Sequence, residues 1–247
     1  MGTRILLFTS LVCLLLFASC ASTNKIAYFQ NAKDTIYRQN VKAVEVPFQS
    51  NDVVNITISS RSKEASADFN SADLGFKGYL IDRDGNITLP TLGNIQVAGL
   101  TKKQLQEKIT NLILSKKLLV EPVVDIRFVN FEVTVLGEVG HPVVISVPNE
   151  QITLVKALAY AGDLTVFGKR DNVLLIREED GVRKTRHINL NSSDFLNSEY
   201  YYLRPNDLIY VEPNRTKIAT SGRSQQILPV VLTGVSFLFL VLDKIIK

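Results

Sequence analysis

The 247 residues contain no tryptophan, one methionine, two cysteines and two histidines. So few thiols and imidazoles exclude a zinc cluster, a CxxC redox pair, haem or iron–sulfur ligation and any disulfide framework. No HExxH is present, and Gly75, Gly78 and Gly85 are not followed by the GK[ST] of a phosphate loop. Cofactors and metals are therefore not expected. A dense basic stripe is missing too: 28 Lys plus Arg stand against 24 Asp plus Glu, a formal charge of +4 spread along the chain, which argues against nucleic acid as a partner. With 46% hydrophobic and 21% charged residues the chain can build one or two globular cores.

Long apolar runs occur only at the two ends. Arg4 is followed by the apolar stretch 5–17, then Ala18, Ser19 and Cys20, so residues 1–19 read as a secretory signal. A cysteine after small residues at the end of such a stretch resembles a bacterial lipobox, with Phe17 departing from the usual leucine. Cys20 is the expected lipid-attachment site. Cleavage at a neighbouring bond or an uncleaved anchor are the alternatives. Ala21, Ser22 and Thr23 carry no aspartate, which by analogy with Gram-negative sorting favours the outer membrane, with the body in the periplasm.

At the other end, residues 227–242 (ILPVVLTGVSFLFLVL) carry no charge and are followed by the charged tail 243–247. As a helix this run spans about 24 Å, short for an average hydrocarbon core of about 30 Å and better suited to the thinner bacterial outer membrane. Gln226, Pro229, Thr233, Ser236, Leu240, Asp243 and Lys247 fall at alternating spacings of three and four, on one helical stripe. In a ring of such helices Thr233, Ser236, Leu240 and Asp243 are candidates to face a lumen. A plain anchor, with the hydroxyls bonded back to their own helix, is the equal alternative.

Between the ends, residues 20–44 are polar and aperiodic, a tether. Val53 to Ile58 reads as a strand, followed by a Ser-, Ala- and Asp-rich loop to Lys77. GYLIDRDGNITLP (78–90) reads as a hairpin turning at Asp84-Gly85. Thr101 and Gln104 form a capping box for a helix to about Lys116, with Leu105, Ile109, Leu112 and Ile113 on one face. Val123 to Val129 alternates as a strand. A second unit has strands at 131–139 and 143–147, bent at Gly140-His141-Pro142. A helix runs from Thr153 to Ala161, ended by Gly162, and further strands follow at 173–177, 183–188, 200–203 and 208–211. The fold class is α+β.

The blocks GYLIDRDGNITLPTLGNIQVAGLTKKQL, EPVVDIRF, VTVLGEV, ITLVKALAYAGDLT, NVLLIR and YYLRPNDLIYVEP occur in that order, and the chain resembles the polysaccharide biosynthesis/export family over roughly residues 45–213. The resemblance implies an export domain at 45–130, a ligand-binding β-grasp domain at 131–213, a linker at 214–226 and a membrane helix at 227–242. It implies motif turns at Asp84, Gly85, Pro90, Gly93, Gly99, Gly137, Pro205 and Asp207. It also implies a homo-oligomeric ring acting as a passive outer-membrane conduit for capsular polysaccharide or exopolysaccharide. The partner implied is an inner-membrane copolymerase, often linked to a tyrosine kinase. Two departures stand out: Gly140-His141-Pro142-Val143 where the family often has Pro-Gly, and Gly162-Asp163 where it commonly has two glycines. A membrane-tethered periplasmic sugar- or cofactor-binding module is the alternative function.

A catalytic reading finds little. His141 and His187 have no nucleophile motif beside them, and Glu178, Glu179 and Asp180 precede Gly181 in a hairpin loop, where a charge run is usually solvated. A glycosidase needs two carboxylates held across a sugar. Tyr200 to Tyr202 are expected to serve packing, and an enzyme is not expected.

Overall fold

A computed structural model describes residues 27–34, 45–70, 78–179 and 181–220, with residues 227, 230–234, 236–237 and 241 near the C-terminus. The first unit contains β1 (Val53–Ser59), α1 (Lys63–Ala67), β2 (Tyr79–Leu80), β3 (Asn86–Leu89), β4 (Gly93–Gln96), α2 (Lys102–Ser115) and β5 (Val123–Phe128). The second contains β6 (Glu132–Gly137), β7 (Val143–Ser146), α3 (Leu154–Tyr160), β8 (Gly168–Glu179) and β9 (Val182–Ile188). A 3-10 turn (Ser193–Asn197), β10 (Leu208–Pro213) and α4 (Arg215–Thr220) complete it.

In the first unit β1 lies between β2 and β5, antiparallel to both. Its alternation puts Val54, Ile56 and Ile58 into the core, as period-two patterning requires. The capping box forms at Thr101 and Gln104, and α2 buries Leu105, Ile109 and Ile113. Leu112 packs at the edge of that core.

The expected hairpin over 78–90 is corrected. The turn exists, with Gly85 N–H donating to the Asp82 carbonyl at 3.0 Å, but β2 pairs with β1 and β3 pairs with β4. Ile81 explains this. It is fully buried, its N–H donates to the Asp52 carbonyl and its carbonyl accepts from Asn51, both at 2.9 Å, so the chain stays with the first strand until it turns. Part of the expected loop is a short helix, α1, capped by Ser62.

The second unit is a five-stranded sheet in the order β7-β6-β10-β8-β9, with β6 and β10 parallel and the other neighbours antiparallel. Leu154, Ala157 and Leu158 of α3 join its core. Residues 200–203 are not a ladder strand. They make one bridge, Thr153 to Tyr202, flanked by bonds from Leu154 to Tyr201 and from Leu203 to Ile152. Tyr200 and Tyr201 pack against the core.

Two hydrophobic clusters result, and the Phe128 ring packs against both. It lies 4.6 Å from Phe48 and 6.2 Å from Phe131, centroid to centroid. Among the described residues no helix is long and apolar enough to cross a membrane.

Candidate functional site

Three places gather polar side chains from distant parts of the chain. The first is the buried pair at the turn before β10. Arg177 on β8 donates from Nε and Nη2 to the two oxygens of Asp207, at 2.9 and 2.7 Å, and Arg204 N–H donates to the same carboxylate at 2.8 Å. Both side chains are nearly or fully sealed from water. Burial pushes the Arg177 pKa down, but the hydrogen bond and charge of Asp207, with the charge of Glu179, outweigh it and hold the guanidinium above its usual range. Asp207 is legible as a motif turn. Its partner sits 30 residues away on a strand otherwise read as apolar, and no local pattern marks it.

The second place is the junction between the units. Lys102, first residue of α2, donates to Glu150 at 2.9 Å, and Glu150 Oε1 also accepts Phe128 N–H at 3.0 Å. Glu150 takes a left-handed backbone, φ 56°. Beside the pair lies a cavity of about 320 Å³ lined by Glu45, Lys103, Gln106, Phe131, Asn149 and Gln151 among others.

The third place is a strap. Residues 28–31 fall within the expected tether, yet they dock on the second unit. Phe29 N–H donates to the Leu190 carbonyl at 3.1 Å and Gln30 N–H to that of Asn191 at 2.7 Å, while Asn31 Oδ1 accepts Ser193 N–H at 2.6 Å. The Tyr28 hydroxyl donates to Asp163, and its ring lies 5.5 Å from the Arg170 guanidinium. Burial first, then the Asp163 carboxylate, raise the phenol pKa well above its ordinary value. Arg170 is buried and donates to the carbonyls of Leu164, Thr165 and Gly168, so the Tyr28 face supplies its remaining cation contact. Tyr28→Phe is expected to remove about 1 kcal/mol, a half-exposed bond to a charged group being worth less than a buried one. Hydrogen exchange at Phe29 and Gln30 should quicken roughly fivefold; unchanged exchange means the hydroxyl does not hold the strap.

The C-terminal end leaves beside the same loop. Asn214 N–H donates to the Phe167 carbonyl at 2.7 Å, and Lys217 of α4 pairs with Glu138 at 2.8 Å, which draws the Glu138 pKa below the usual carboxylate range. Thus α4 occupies the start of the expected linker. Farther on, Ile227, Val230, Val231, Leu232, Phe237 and Val241 are helical and exposed. Thr233 Oγ1 donates to the Val230 carbonyl at 3.3 Å and Ser236 Oγ to that of Leu232 at 2.9 Å. The signal segment with Cys20, and Leu240 and Asp243, lie outside the described residues.

The structure does not bring the motif turns together. Asp84 is exposed, while Gly85 beside it is buried. Gly93 and Gly99 take left-handed conformations in the first unit, as Gly137 does in the second. Pro90 follows β3, and Pro205 precedes Asp207 in the turn before β10. Asp82 closes its own turn, Oδ1 accepting Asn86 N–H at 2.8 Å. The loop acids Glu178 and Glu179 pair with Arg183 at 3.3 Å and Lys184 at 2.6 Å, and Arg204 also meets Glu179. No cluster of His, Cys, Asp or Glu able to hold a metal occurs among the described residues.

Residues 42–129 match the polysaccharide biosynthesis/export protein family, and residues 132–211 match the SLBB domain. Together these matches and the relatives support a polysaccharide biosynthesis/export family for the chain. It is 28% identical over 159 residues to the EPS I polysaccharide export outer membrane protein EpsA of Ralstonia solanacearum, covering 62% of this chain and 41% of that one. It is 29% identical over 160 residues to the EpsA of the same description from Ralstonia nicotianae, again 41% of its length. The chain therefore spans less than half of the curated relatives it matches. The family is a transport component and not an enzyme.

Within this export-family chain the two departures noted in the sequence touch each other. Gly140 N–H donates to the Asp163 carbonyl and His141 N–H to that of Ala161, both at 2.8 Å. A Cβ on Gly162 would come within 2.7 Å of the His141 ring. Asp163 takes φ 64°, a conformation aspartate tolerates better than most residues, and its carboxylate accepts Leu164 N–H at 2.7 Å as well as the Tyr28 hydroxyl.

Proposed function

We propose that the chain is an outer-membrane translocation subunit for export of a capsular polysaccharide or exopolysaccharide. It is held by lipid at Cys20, has its body in the periplasm and works as a passive conduit with an inner-membrane copolymerase, often of the tyrosine-kinase-linked kind. The observation that carries this reading is the ordered pair of domain matches over residues 42–211 together with relatives named polysaccharide export outer membrane proteins.

The C-terminal run supplies the membrane element of the proposal. Ile227, Val230, Val231, Leu232, Phe237 and Val241 are 40–69% exposed, a surface that water penalises and that lipid or sister helices would cover. In a homo-oligomeric ring the hydroxyl-bearing stripe turns inward, with backbone groups satisfied within each helix. Thr233 and Ser236 bond to their own helix carbonyls, a geometry shared with a plain anchor, so labelling of these two positions separates the two readings. A lumen that binds weakly suits a moving chain.

Removing the gene is expected to trap polymer inside the envelope, read by sugar analysis of periplasmic and surface fractions, with re-expression restoring surface polymer. Thr233→Cys and Ser236→Cys in assembled oligomers should react with a membrane-impermeant thiol reagent. Undiminished surface polymer in the deletion strain overturns the export reading, and unreactive cysteines in a stable ring overturn the lumen assignment. A monomer that binds a small sugar saturably supports the tethered binding module instead.

A further inference from the structure

Arg186 is a cation on the sheet's core-facing side without a carboxylate. The edge strand β9 alternates, and Lys184, Arg186 and Ile188 lie opposite Arg177, Leu175 and Val173 of β8. Ile188 is buried in the core, Lys184 is taken by Glu179 and Arg177 by Asp207. Among the described residues Arg186 has no acidic partner. Its guanidinium instead sits 5.6 Å from the Tyr200 ring centroid, and Arg177 approaches the same ring at 5.5 Å. Tyr200 is thereby fixed between two cations, with its N–H on Ser198 Oγ at 3.2 Å.

Arg186 and Tyr200 line a cavity of about 370 Å³ with Asn189, Ser192, Asp194 and Ser198, within the range of roughly 300–1,000 Å³ usual for small-molecule sites. Each wall has a distinct chemistry. A guanidinium offers a planar fork that matches a carboxylate. The tyrosine ring, approached by both Arg177 and Arg186, holds the Arg186 guanidinium at the cavity wall. Amide and hydroxyl groups can exchange hydrogen bonds with ring hydroxyls. Asp194 gives the cavity a second sign: Ser192 Oγ already donates to it at 2.9 Å, and it can accept from a sugar hydroxyl but repels a carboxylate. A ligand with an acid at one end and hydroxyls at the other satisfies both.

We propose that this cavity is a subsite for a carboxylated sugar unit, so that the polymer handled by the chain is an acidic, uronate-type polysaccharide. The context of this assignment rests on the export reading; the binding chemistry does not. The site lies at an exposed sheet edge, where an ion pair is worth little, so it orients a passing unit without retaining it.

The test uses the full mature chain in detergent, with trigalacturonate as probe, maltotriose as neutral control and inorganic phosphate as a bare anion, read by saturation-transfer difference NMR. Trigalacturonate is expected to bind and maltotriose not to. Arg186→Gln should weaken binding about three- to fivefold, the range an exposed ion pair supports, and Arg186→Lys about twofold, since the lysine keeps charge but loses the fork. Arg183→Gln, on the opposite face, should change it less than twofold, and Asp194→Asn should tighten it severalfold. Equal binding by wild type and Arg186→Gln overturns the proposal, as does binding of maltotriose equal to trigalacturonate. Full displacement by an equal concentration of phosphate shows a bare-anion site and overturns it too. The export reading is tested separately: an Arg186→Gln protein that folds, fails to bind and still restores surface polymer to the deletion strain removes this subsite and leaves that reading standing.

Discussion

Replacing Asp207 by alanine is expected to cost about 3–5 kcal/mol of stability, the range found when one partner of a buried ion pair is removed. The size follows from what is stranded. Arg177 is 4% exposed, and the Asp207 hydrogen bond is the largest influence keeping its charge in place against burial. Without the carboxylate, the guanidinium faces Tyr200 and the Tyr202 carbonyl, a contact of 3.4 Å, and neither offsets a buried charge. The Arg204 N–H loses its acceptor in the same step, opening the turn that starts β10.

Because β10 is the middle strand, between β6 and β8, the loss spreads to both sides of the sheet. Urea unfolding should show a lower midpoint with an unchanged slope if the native state stays compact. The double variant Arg177→Met with Asp207→Leu is expected to recover most of the loss, since an apolar pair of similar volume carries no stranded charge. A single variant costing under about 1 kcal/mol would mean that water reaches Arg177, and that the pair is not sealed.

Elements whose reasons are local were legible in the chain. The box at Thr101 and Gln104 needs only residues three apart, and Thr153 and Gly162 bracket α3 by the same kind of short-range chemistry. What the sequence hid is non-local. Nothing in residues 78–90 says that Ile81 will be held by Asn51 and Asp52, so two adjacent short runs read as partners when each had a partner elsewhere. Tyr28 to Asn31 look like tether because their bonds go to residues more than 130 positions away. The candidate subsite was half visible: Arg186 lay in a basic strand and Tyr200 in an aromatic run, and only the turn after Leu190 brings guanidinium and ring together. The end of α3 at Gly162-Asp163 was legible, while the clasp of Asp163 on Tyr28 was not.

Gly137→Ala is expected to destabilise the second unit by about 3 kcal/mol, although adding a methyl to a strand glycine ordinarily helps. Gly137 ends β6 at φ 96°, where an L side chain costs roughly 1–2 kcal/mol. A Cβ there would stand 2.1 Å from the Val211 carbonyl oxygen and 2.9 Å from its carbon. Those atoms belong to backbone of β10, register partner of Gly137, and the same oxygen accepts Glu138 N–H at 2.9 Å. Relief therefore requires the parallel β6 and β10 strands to part, an overpacking penalty of about 1–3 kcal/mol on top of the conformational one. Gly181→Ala separates the two costs: Gly181 also has a positive φ, 72°, but among the described residues no atom beyond its chain neighbours lies within 4 Å of its would-be Cβ. It should lose only the conformational part. At about 4–8 °C per kcal/mol for a domain of this size, the midpoint should fall by roughly 12–24 °C for Gly137→Ala and about a third to two-thirds as much for Gly181→Ala. Equal shifts would show that the close approach of β10 contributes nothing and that φ alone selects glycine at position 137.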